Sequence, residues 1–167
     1  TGFGIKKLNY AIDQMQVPYF IPRECIIKIS EDTGYEPDIA VIDRAGLADE
    51  SRWESASIIE SGKSLKLVVE VVSTNWRDDY ALKLSDYESI GIEEYWIADY
   101  LGIGGRRYIG SPKQPTLSVC TLVDGEDEIQ QFKNDDLIRS RSLSTERFID
   151  SLIKKKVKGK HKVHNKQ

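Results

Sequence analysis

The strongest pattern of apolar positions lies between residues 65 and 99. Residues 65–72 read Leu-Lys-Leu-Val-Val-Glu-Val-Val, and this content of β-branched side chains predicts a strand. Residues 76–90 predict a helix that ends at Gly91, and residues 93–99 predict a second strand. Four side chains share one face of that helix: Tyr80, Lys83, Leu84 and Tyr87. A strand, a crossover helix and a strand in so short a span predict a parallel pair with a right-handed connection.

Glu70 is the unusual residue of the first strand. Alternation along the strand places four side chains on one face: Lys66, Val68, Glu70 and Val72. Strands of parallel pairs are usually covered on both faces, so we expect Glu70 to be at least partly buried. An isolated buried carboxylate costs several kcal/mol unless a cation or strong donors meet it. The sequence therefore predicts a metal ion or a lysine beside Glu70.

The rest of the chain alternates between helical and extended patterns. Residues 3–15 predict an amphipathic helix, and the polar stretch 45–64 predicts a loop with a short helix or strand. Five further segments have the pattern of strands: residues 25–29, 37–43, 106–109, 117–123 and 128–132. A final helix is predicted over residues 145–156, after the cap residue Ser144. Asp38 lies at the first position of its predicted strand.

Glycines mark two predicted turns. Gly102, Gly104 and Gly105 precede a strand pattern rather than a helix, which favours a hairpin turn over a phosphate-binding loop. Asp124-Gly125 predicts the turn of a hairpin near the C-terminus.

Composition places the chain in the class of ordinary globular proteins. Its 167 residues, 40% of them hydrophobic, fit one domain, which we place at residues 1–153. Residues 154–167 hold seven of the 24 Lys and Arg residues and no acid, and this predicts a basic, disordered tail that could also bind DNA at low salt. The body then carries 17 basic against 27 acidic side chains, a formal charge of −10, and its overall field does not attract DNA.

The positions of histidine and cysteine exclude several chemistries. Both histidines, His161 and His164, lie in the basic tail, so the body cannot contain a Ser-His-Asp triad, a Cys-His pair or most zinc hydrolase sites. Cys25 and Cys120 lie in separate strand patterns without metal-ligand spacing, and we expect buried thiols in a reducing, cytoplasmic compartment. No segment approaches the ~20 apolar residues that a membrane span needs, so we expect no membrane partner.

A set of residues in this order resembles a known family. The set is Pro37-Asp38, residues 67–73, Lys83, Tyr87, Gly91 and residues 94–99. It is similar to the Uma-two family, bacterial proteins described as restriction endonucleases within the PD-(D/E)XK nuclease superfamily, and the similarity extends over residues 5–152. The resemblance implies an α/β, restriction endonuclease-like core of order αβββαβ. This core has a mixed central sheet flanked by helices, followed by a C-terminal β-hairpin and helix.

The resemblance also implies a function and a set of catalytic residues. Asp38, Glu70 and Lys83 would serve a metal-dependent endonuclease that hydrolyses DNA as a homodimer. Asp38 and Glu70 would bind Mg²⁺ or Mn²⁺, with the backbone carbonyl of Val71 as a third ligand. Such an ion neutralises the phosphate and acidifies a water, and a nearby lysine orients that water. The commonest superfamily pattern has the lysine two residues after the second acid, where this chain has Val72, and Lys83 on the following helix takes its place.

Two alternatives remain open at this point. Lys66, on the predicted face of Glu70, competes with Lys83, which could instead snorkel at the edge of its helix. A catalytically inactive module of the same fold, acting in protein binding or regulation, would use either lysine as a structural partner of Glu70. Asp13 is the one candidate for a further acid on the first helix.

The remaining strand residues have simpler interpretations. Asp43 and Asp99 close strands, and we predict that they are turn residues. Glu93 and Glu94 begin a strand, where one can face solvent and the other can brace the site. Trp96 lies in the middle of that strand and is predicted to be core.

Overall fold

The computed structural model describes residues 2–143. Its helices are α1 (Gly2–Met15), α2 (Trp53–Ala56), α3 (Lys83–Ser89) and α4 (Arg106–Ile109). Its strands are β1 (Tyr19–Phe20), β2 (Ile26–Lys28), β3 (Gly34–Tyr35), β4 (Ile39–Asp43), β5 (Ile58–Ile59), β6 (Leu65–Val71), β7 (Glu94–Asp99), β8 (Thr116–Val123) and β9 (Glu126–Lys133). Two 3₁₀ segments, Arg44–Asp49 and Gly62–Ser64, and the π-helical segment Asp78–Leu82 complete these elements. None of the helices in residues 2–143 has the length and apolar character needed to cross a membrane.

Six strands form the main sheet, in the order β1-β4-β6-β7-β8-β9. β6 and β7 pair in parallel, with Glu70 opposite Ile97, and every other neighbouring pair in this sheet is antiparallel. The predicted βαβ unit is therefore present, and Gly91, with φ of +81°, ends its helical connection. The mixed sheet, the flanking helices and the hairpin of β8 and β9 confirm the predicted restriction endonuclease-like fold.

The strand predicted at residues 25–29 does not belong to this sheet. Its ordered part, β2, pairs with β3 and β5 in a separate three-stranded sheet. The first strand of the αβββαβ order is instead β1, which pairs antiparallel with β4. A two-residue strand has no alternation to detect, so the sequence pattern could not reveal it.

The helix predicted at residues 76–90 is not a plain α-helix. The N–H of Lys83 bonds to the carbonyl of Asp78, five residues back, so a π turn precedes α3. Such turns are rare among helices in general, but those that occur are frequently found at functional sites. Both Asp79 and Lys83 belong to this part of the helix.

The prediction of a strand at residues 106–109 is wrong. These residues form the single helical turn α4, because the N–H groups of Tyr108 and Ile109 both bond to the carbonyl of Gly105. The preceding glycines therefore lead into a helical turn rather than a hairpin strand.

The central strands of the main sheet are buried on both faces. One face packs against α1, where Leu8 and Ile12 join Leu67 of β6 in a core cluster. The opposite face packs against the second sheet and α3, where Ile27 and Tyr87 take part in the other core cluster. Cys25 and Cys120 are buried free thiols, as predicted. Burial, followed by the Glu50 carboxylate, raises the pKa of Cys25 to about 12.

The predicted C-terminal hairpin is formed by β8 and β9. Asp124 and Gly125 connect them with φ values of +53° and +88°, the left-handed conformations that a tight hairpin turn requires. The helix predicted at 145–156, the tail at 154–167 and the end of the domain predicted at 1–153 lie outside the described residues.

Asp127, near the start of β9, is expected to make stability depend on pH. Burial and the neighbouring Glu88 carboxylate raise the pKa of Asp127 from 3.8 to about 6. The folded state therefore holds this proton more tightly than the unfolded chain, and stability falls as pH rises from about 4 to about 6. We expect Asp127→Asn to stabilise the fold by about 1 kcal/mol at pH 7, a modest gain because solvent partly screens a half-exposed charge. Near pH 4 the substitution should have little effect, because Asp127 is then protonated in the folded state.

Urea denaturation at the two pH values measures this difference. Glu128→Gln removes an exposed charge from the next position of the same strand and is the matched control, for which we expect no such pH dependence. Equal stability of Asp127→Asn and the wild type at pH 7 would contradict the prediction.

Candidate active site

Asp38 lies immediately before β4, where the parallel strands β6 and β7 end. Because Ile39 pairs with Val69, the register brings Asp38 level with Glu70 and Val71. The backbone N–H of Val71 donates to Oδ2 of Asp38 at 2.8 Å. Asp38 is exposed, so its carboxylate has further acceptor capacity on the solvent side.

Glu70 is buried, as its position in β6 predicts, with 3% of its surface exposed. The hydroxyl of Tyr87 donates to Oε1 at 2.8 Å, and Nζ of Lys83 lies 3.2 Å from Oε2. Both partners come from α3, which covers this face of the sheet. The predicted cost of burying this carboxylate is therefore offset by a hydrogen bond and an ammonium group.

Asp79 is a candidate that the sequence pattern did not reveal. It lies in the π turn, is 5% exposed, and its Oδ1 is 3.1 Å from Nζ of Lys83. Its backbone carbonyl accepts a hydrogen bond from the hydroxyl of Tyr95 on β7, at 3.0 Å. The available signal was an acid four residues before a lysine, but such pairs are common on exposed helix faces. Asp78 has the same side chain one position earlier and is exposed, so residue type did not show which acid faces inward.

Lys83 therefore lies between two buried carboxylates. Burial by itself lowers the pKa of Lys83, but the Glu70 and Asp79 carboxylates outweigh it and raise this pKa above its ordinary value. Burial raises the pKa of both acids, while the Lys83 ammonium acts on both in the opposite direction. The Asp38 carboxylate also raises the pKa of Asp79, so the exposed acid lies within electrostatic reach of this group. Lys83 is accordingly a protonated donor at neutral pH.

The second sheet contributes Tyr35 to the surroundings of Lys83. The ring of Tyr35 meets that of Tyr87 edge to face, with centroids 5.7 Å apart, and its centroid is also 5.7 Å from Nζ of Lys83. The hydroxyl of Tyr35 donates to Oδ2 of Asp86 at 2.5 Å and so joins β3 to α3. Tyr35 thus helps to fix the helix that carries the lysine.

Lys66 does not share the face of Glu70, which corrects the alternation predicted for this strand. A β-bulge places Val41 opposite Leu67 but Ile42 opposite Leu65, so the alternation is interrupted at Lys66. The Lys66 ammonium instead lies 3.0 Å from Oε2 of Glu93. The competing lysine is therefore directed away from the site.

The other candidate acids accept hydrogen bonds from groups outside the candidate site or lie exposed on α1. Glu94 is fully buried, but it accepts hydrogen bonds from the indole of Trp96 and from the backbone of Arg141 and Ser142. Asp99 accepts from the backbone of the glycine-containing turn after β7, and Asp43 accepts from Ala45, so both are turn residues. Trp96 is buried in the core, as predicted. Asp13 is exposed on α1.

The donor atoms near Asp38 fit a hard divalent cation. Carboxylate and carbonyl oxygens suit Mg²⁺ or Mn²⁺, although Oε2 of Glu70 is already paired with the ammonium of Lys83. Within residues 2–143, no three His, Cys, Asp or Glu side chains come together as a metal-binding group. A metal here would therefore use the two carboxylates, the carbonyl of Val71 and water, a ligand set typical of Mg²⁺.

Tyr87→Phe is expected to show how strongly the buried carboxylate depends on its donor. The substitution keeps the aromatic ring but removes the hydrogen bond to Glu70, and a bond to a charged group contributes about 1.5–3 kcal/mol. Tyr95→Phe is the matched control, because its hydroxyl donates to a neutral carbonyl and should contribute about 0.5–1.5 kcal/mol. Urea denaturation at pH 7 measures both losses. A smaller loss for Tyr87→Phe than for Tyr95→Phe would show that Glu70 does not need this donor.

The strand order, the parallel β6–β7 pair and the flanking helices are those of a restriction endonuclease-like α/β protein. The model of the Uma2 (Uma-two) family, described as "Putative restriction endonuclease", matches residues 5–150. The chain therefore belongs to the Uma2 family, whose wider context is the PD-(D/E)XK superfamily. This membership suggests a nuclease, and nucleases of this type usually use divalent metal ions. No match is found among curated proteins.

Proposed function

We propose that this protein is a metal-dependent endonuclease that hydrolyses phosphodiester bonds in DNA. The observation that carries the proposal is the buried Glu70–Lys83 pair beside the exposed Asp38, at the end of the parallel strands. A buried acid with a paired lysine in a globular body without histidine suits metal-assisted phosphodiester hydrolysis. Family membership supports the nuclease class and the choice of DNA as substrate.

Each side chain has a role that follows from its surroundings. Asp38, Glu70 and the carbonyl of Val71 would hold Mg²⁺ or Mn²⁺, which when bound supplies positive charge to the phosphate and acidifies a water. Lys83 stays protonated because its two carboxylate neighbours raise its pKa, so it acts as a donor and a positive charge rather than as a base. Asp79 and Tyr87 are positioning residues, because they hold Lys83 and Glu70 in place.

Cleavage of supercoiled plasmid DNA with Mg²⁺ or Mn²⁺, compared with the same reaction in EDTA, tests the proposal. We expect metal-dependent nicking or linearisation by the wild type and none by Glu70→Gln. Glu36→Gln is the matched control, because Glu36 is an exposed acid close to Asp38 in sequence. Absence of cleavage with both metals would count decisively against a nuclease.

A second candidate function is a catalytically inactive module of the same fold that binds proteins. The observation that favours it is the double pairing of Lys83, whose ammonium already offsets one of the two buried negative charges. Calorimetric titration with Mn²⁺ separates the two functions. Binding that is lost in both Asp38→Asn and Glu70→Gln supports the nuclease, whereas no binding by the wild type supports the module.

We also propose that the enzyme acts as a homodimer, since enzymes of this kind often pair two sites to cut both strands of a duplex. Support for this comes from the family resemblance. Sedimentation velocity of the full chain measures the oligomeric state, and a monomer at all concentrations would overturn it.

A further inference from the structure

Two arginines and two aromatic rings lie together at one end of the main sheet, and a third arginine, Arg106, precedes Arg107 in α4. The guanidinium carbon of Arg77 is 4.4 Å from the ring centroid of Trp76, and that of Arg107 is 5.5 Å from the centroid of Tyr108. The two rings meet edge to face, with centroids 6.0 Å apart. All three arginines are exposed, and both rings are half-buried. The arginine–aromatic cluster consists of Trp76, Arg77, Arg106, Arg107 and Tyr108.

The cluster is connected to the candidate active site. Tyr108 stacks on the buried Tyr80, with centroids 4.9 Å apart and planes 18° apart, and Tyr80 directly follows Asp79. Trp76 and Arg77 follow the end of β6, and α4 follows the end of β7. The cluster therefore lies at the same end of the parallel pair as Asp38, which is where ligands bind in α/β sheets.

The rings of the cluster are held against the backbone. A Cβ atom at Gly105 would come within 2.7 Å of Cη2 of Trp76, so only glycine permits this close approach of the indole. Both rings also pack against the core cluster that contains Tyr80 and Tyr87. Arginines stacked on fixed rings lose little further freedom when they bind a ligand.

The charge of the cluster contrasts with the rest of the body. The body without the basic tail carries a formal charge of −10, whereas the cluster brings three positive charges together. None of the ion pairs between residues 2 and 143 uses Arg77, Arg106 or Arg107. A polyanion that is repelled by most of this surface can therefore approach it favourably here.

We infer that the arginine–aromatic cluster binds the phosphate backbone of DNA beside the candidate active site. The inference rests on the proposed function for the identity of the ligand. A guanidinium that lies on a ring still offers its in-plane N–H donors, and these match two phosphate oxygens at once. The rings hold the arginines, and the arginines neutralise phosphates next to the bond that would be cut.

Fluorescence anisotropy with a labelled DNA duplex in EDTA tests the inference without cleavage. The full-length chain is compared with the triple variant Arg77→Gln, Arg106→Gln, Arg107→Gln. We expect its Kd at 100 mM salt to rise at least about tenfold, and the slope of log Kd against log salt to fall by about two to three. The double variant Arg23→Gln, Arg139→Gln removes exposed arginines outside the cluster and should stay within about twofold of the wild type.

Two further experiments show which part of the chain binds the duplex and which class of ligand the cluster accepts. The variant Lys154→Gln, Lys155→Gln, Lys156→Gln reduces the positive charge of the basic tail. An equal rise in the Kd of this variant, with no rise in the Kd of the arginine triple variant, would overturn the inference. Polyglutamate at equal charge concentration should not displace the duplex, and displacement would show a general polyanion site instead. Absence of duplex binding by the wild type also overturns the inference, whereas binding through these arginines without cleavage in Mg²⁺ overturns only the proposed nuclease activity.

Discussion

Asp38→Asn is expected to lower the rate of DNA cleavage about 100-fold or more, because a carboxylate ligand supplies charge that an amide cannot. The fold should remain intact, since Asp38 is exposed and an amide oxygen can still accept the hydrogen bond from Val71. We expect the free energy of unfolding to stay within about 1 kcal/mol of the wild type. Initial rates on plasmid DNA with saturating Mn²⁺ measure the first effect, and urea denaturation measures the second.

Asp32→Asn is the matched control for this variant. Asp32 is an exposed aspartate in the turn between β2 and β3, and its replacement should leave cleavage unchanged. Cleavage by Asp38→Asn at the wild-type rate would remove Asp38 from the metal site. A loss of both activity and stability would instead show that the bond to Val71 has a structural role.

Lys83→Met is expected to destabilise the fold by about 3–5 kcal/mol at pH 7, because it leaves two buried carboxylates without their cation. Without the ammonium, the pKa of each acid should rise further, so the folded state then binds protons more tightly than the unfolded chain. The loss should therefore be largest above neutral pH and should shrink as the pH falls toward 5. Urea denaturation between pH 5 and pH 8 measures this dependence.

Lys63→Met is the matched control, because Lys63 is exposed in the 3₁₀ segment before β6. The double variant Lys83→Met, Glu70→Gln removes one of the unpaired charges and should recover part of the lost stability. If Lys83→Met is as stable as Lys63→Met across this pH range, the ion pairs of Lys83 contribute nothing to the fold. Such a result would also weaken the case for a fixed lysine in the site.

The parallel strands and the burial of Glu70 could be predicted from the sequence because each leaves a periodic signal. The run 65–72 is long enough to show a strand, and an acid within it requires a partner. The helix that follows carries one lysine beside two tyrosines on its inward face. Burial of Glu70 follows from these local facts, whereas the choice of Lys83 rather than Lys66 as its partner comes from the family resemblance.

Other features could not be predicted because they depend on single-residue shifts. The bulge in β6 adds one residue opposite β4 and turns Lys66 to the other face, without any glycine or proline to mark it. The strand β1 has two residues, fewer than any alternation needs. Asp79 faces inward while Asp78 is exposed, and that choice depends on the π turn rather than on residue type.

That π turn also sets the angular phase of the helix. Each residue of an α-helix advances by about 100° around the helix axis. The π turn contains one extra residue in its hydrogen-bonded ring, so the residues before it are rotated by about this angle relative to the residues after it. After the π turn, the hydroxyl of Tyr87 donates to Glu70 of β6, and before it the ring of Trp76 contacts that of Tyr108 in α4. A regular helix that kept Tyr87 beside Glu70 would carry Trp76 at a position rotated by about 100° around the helix axis.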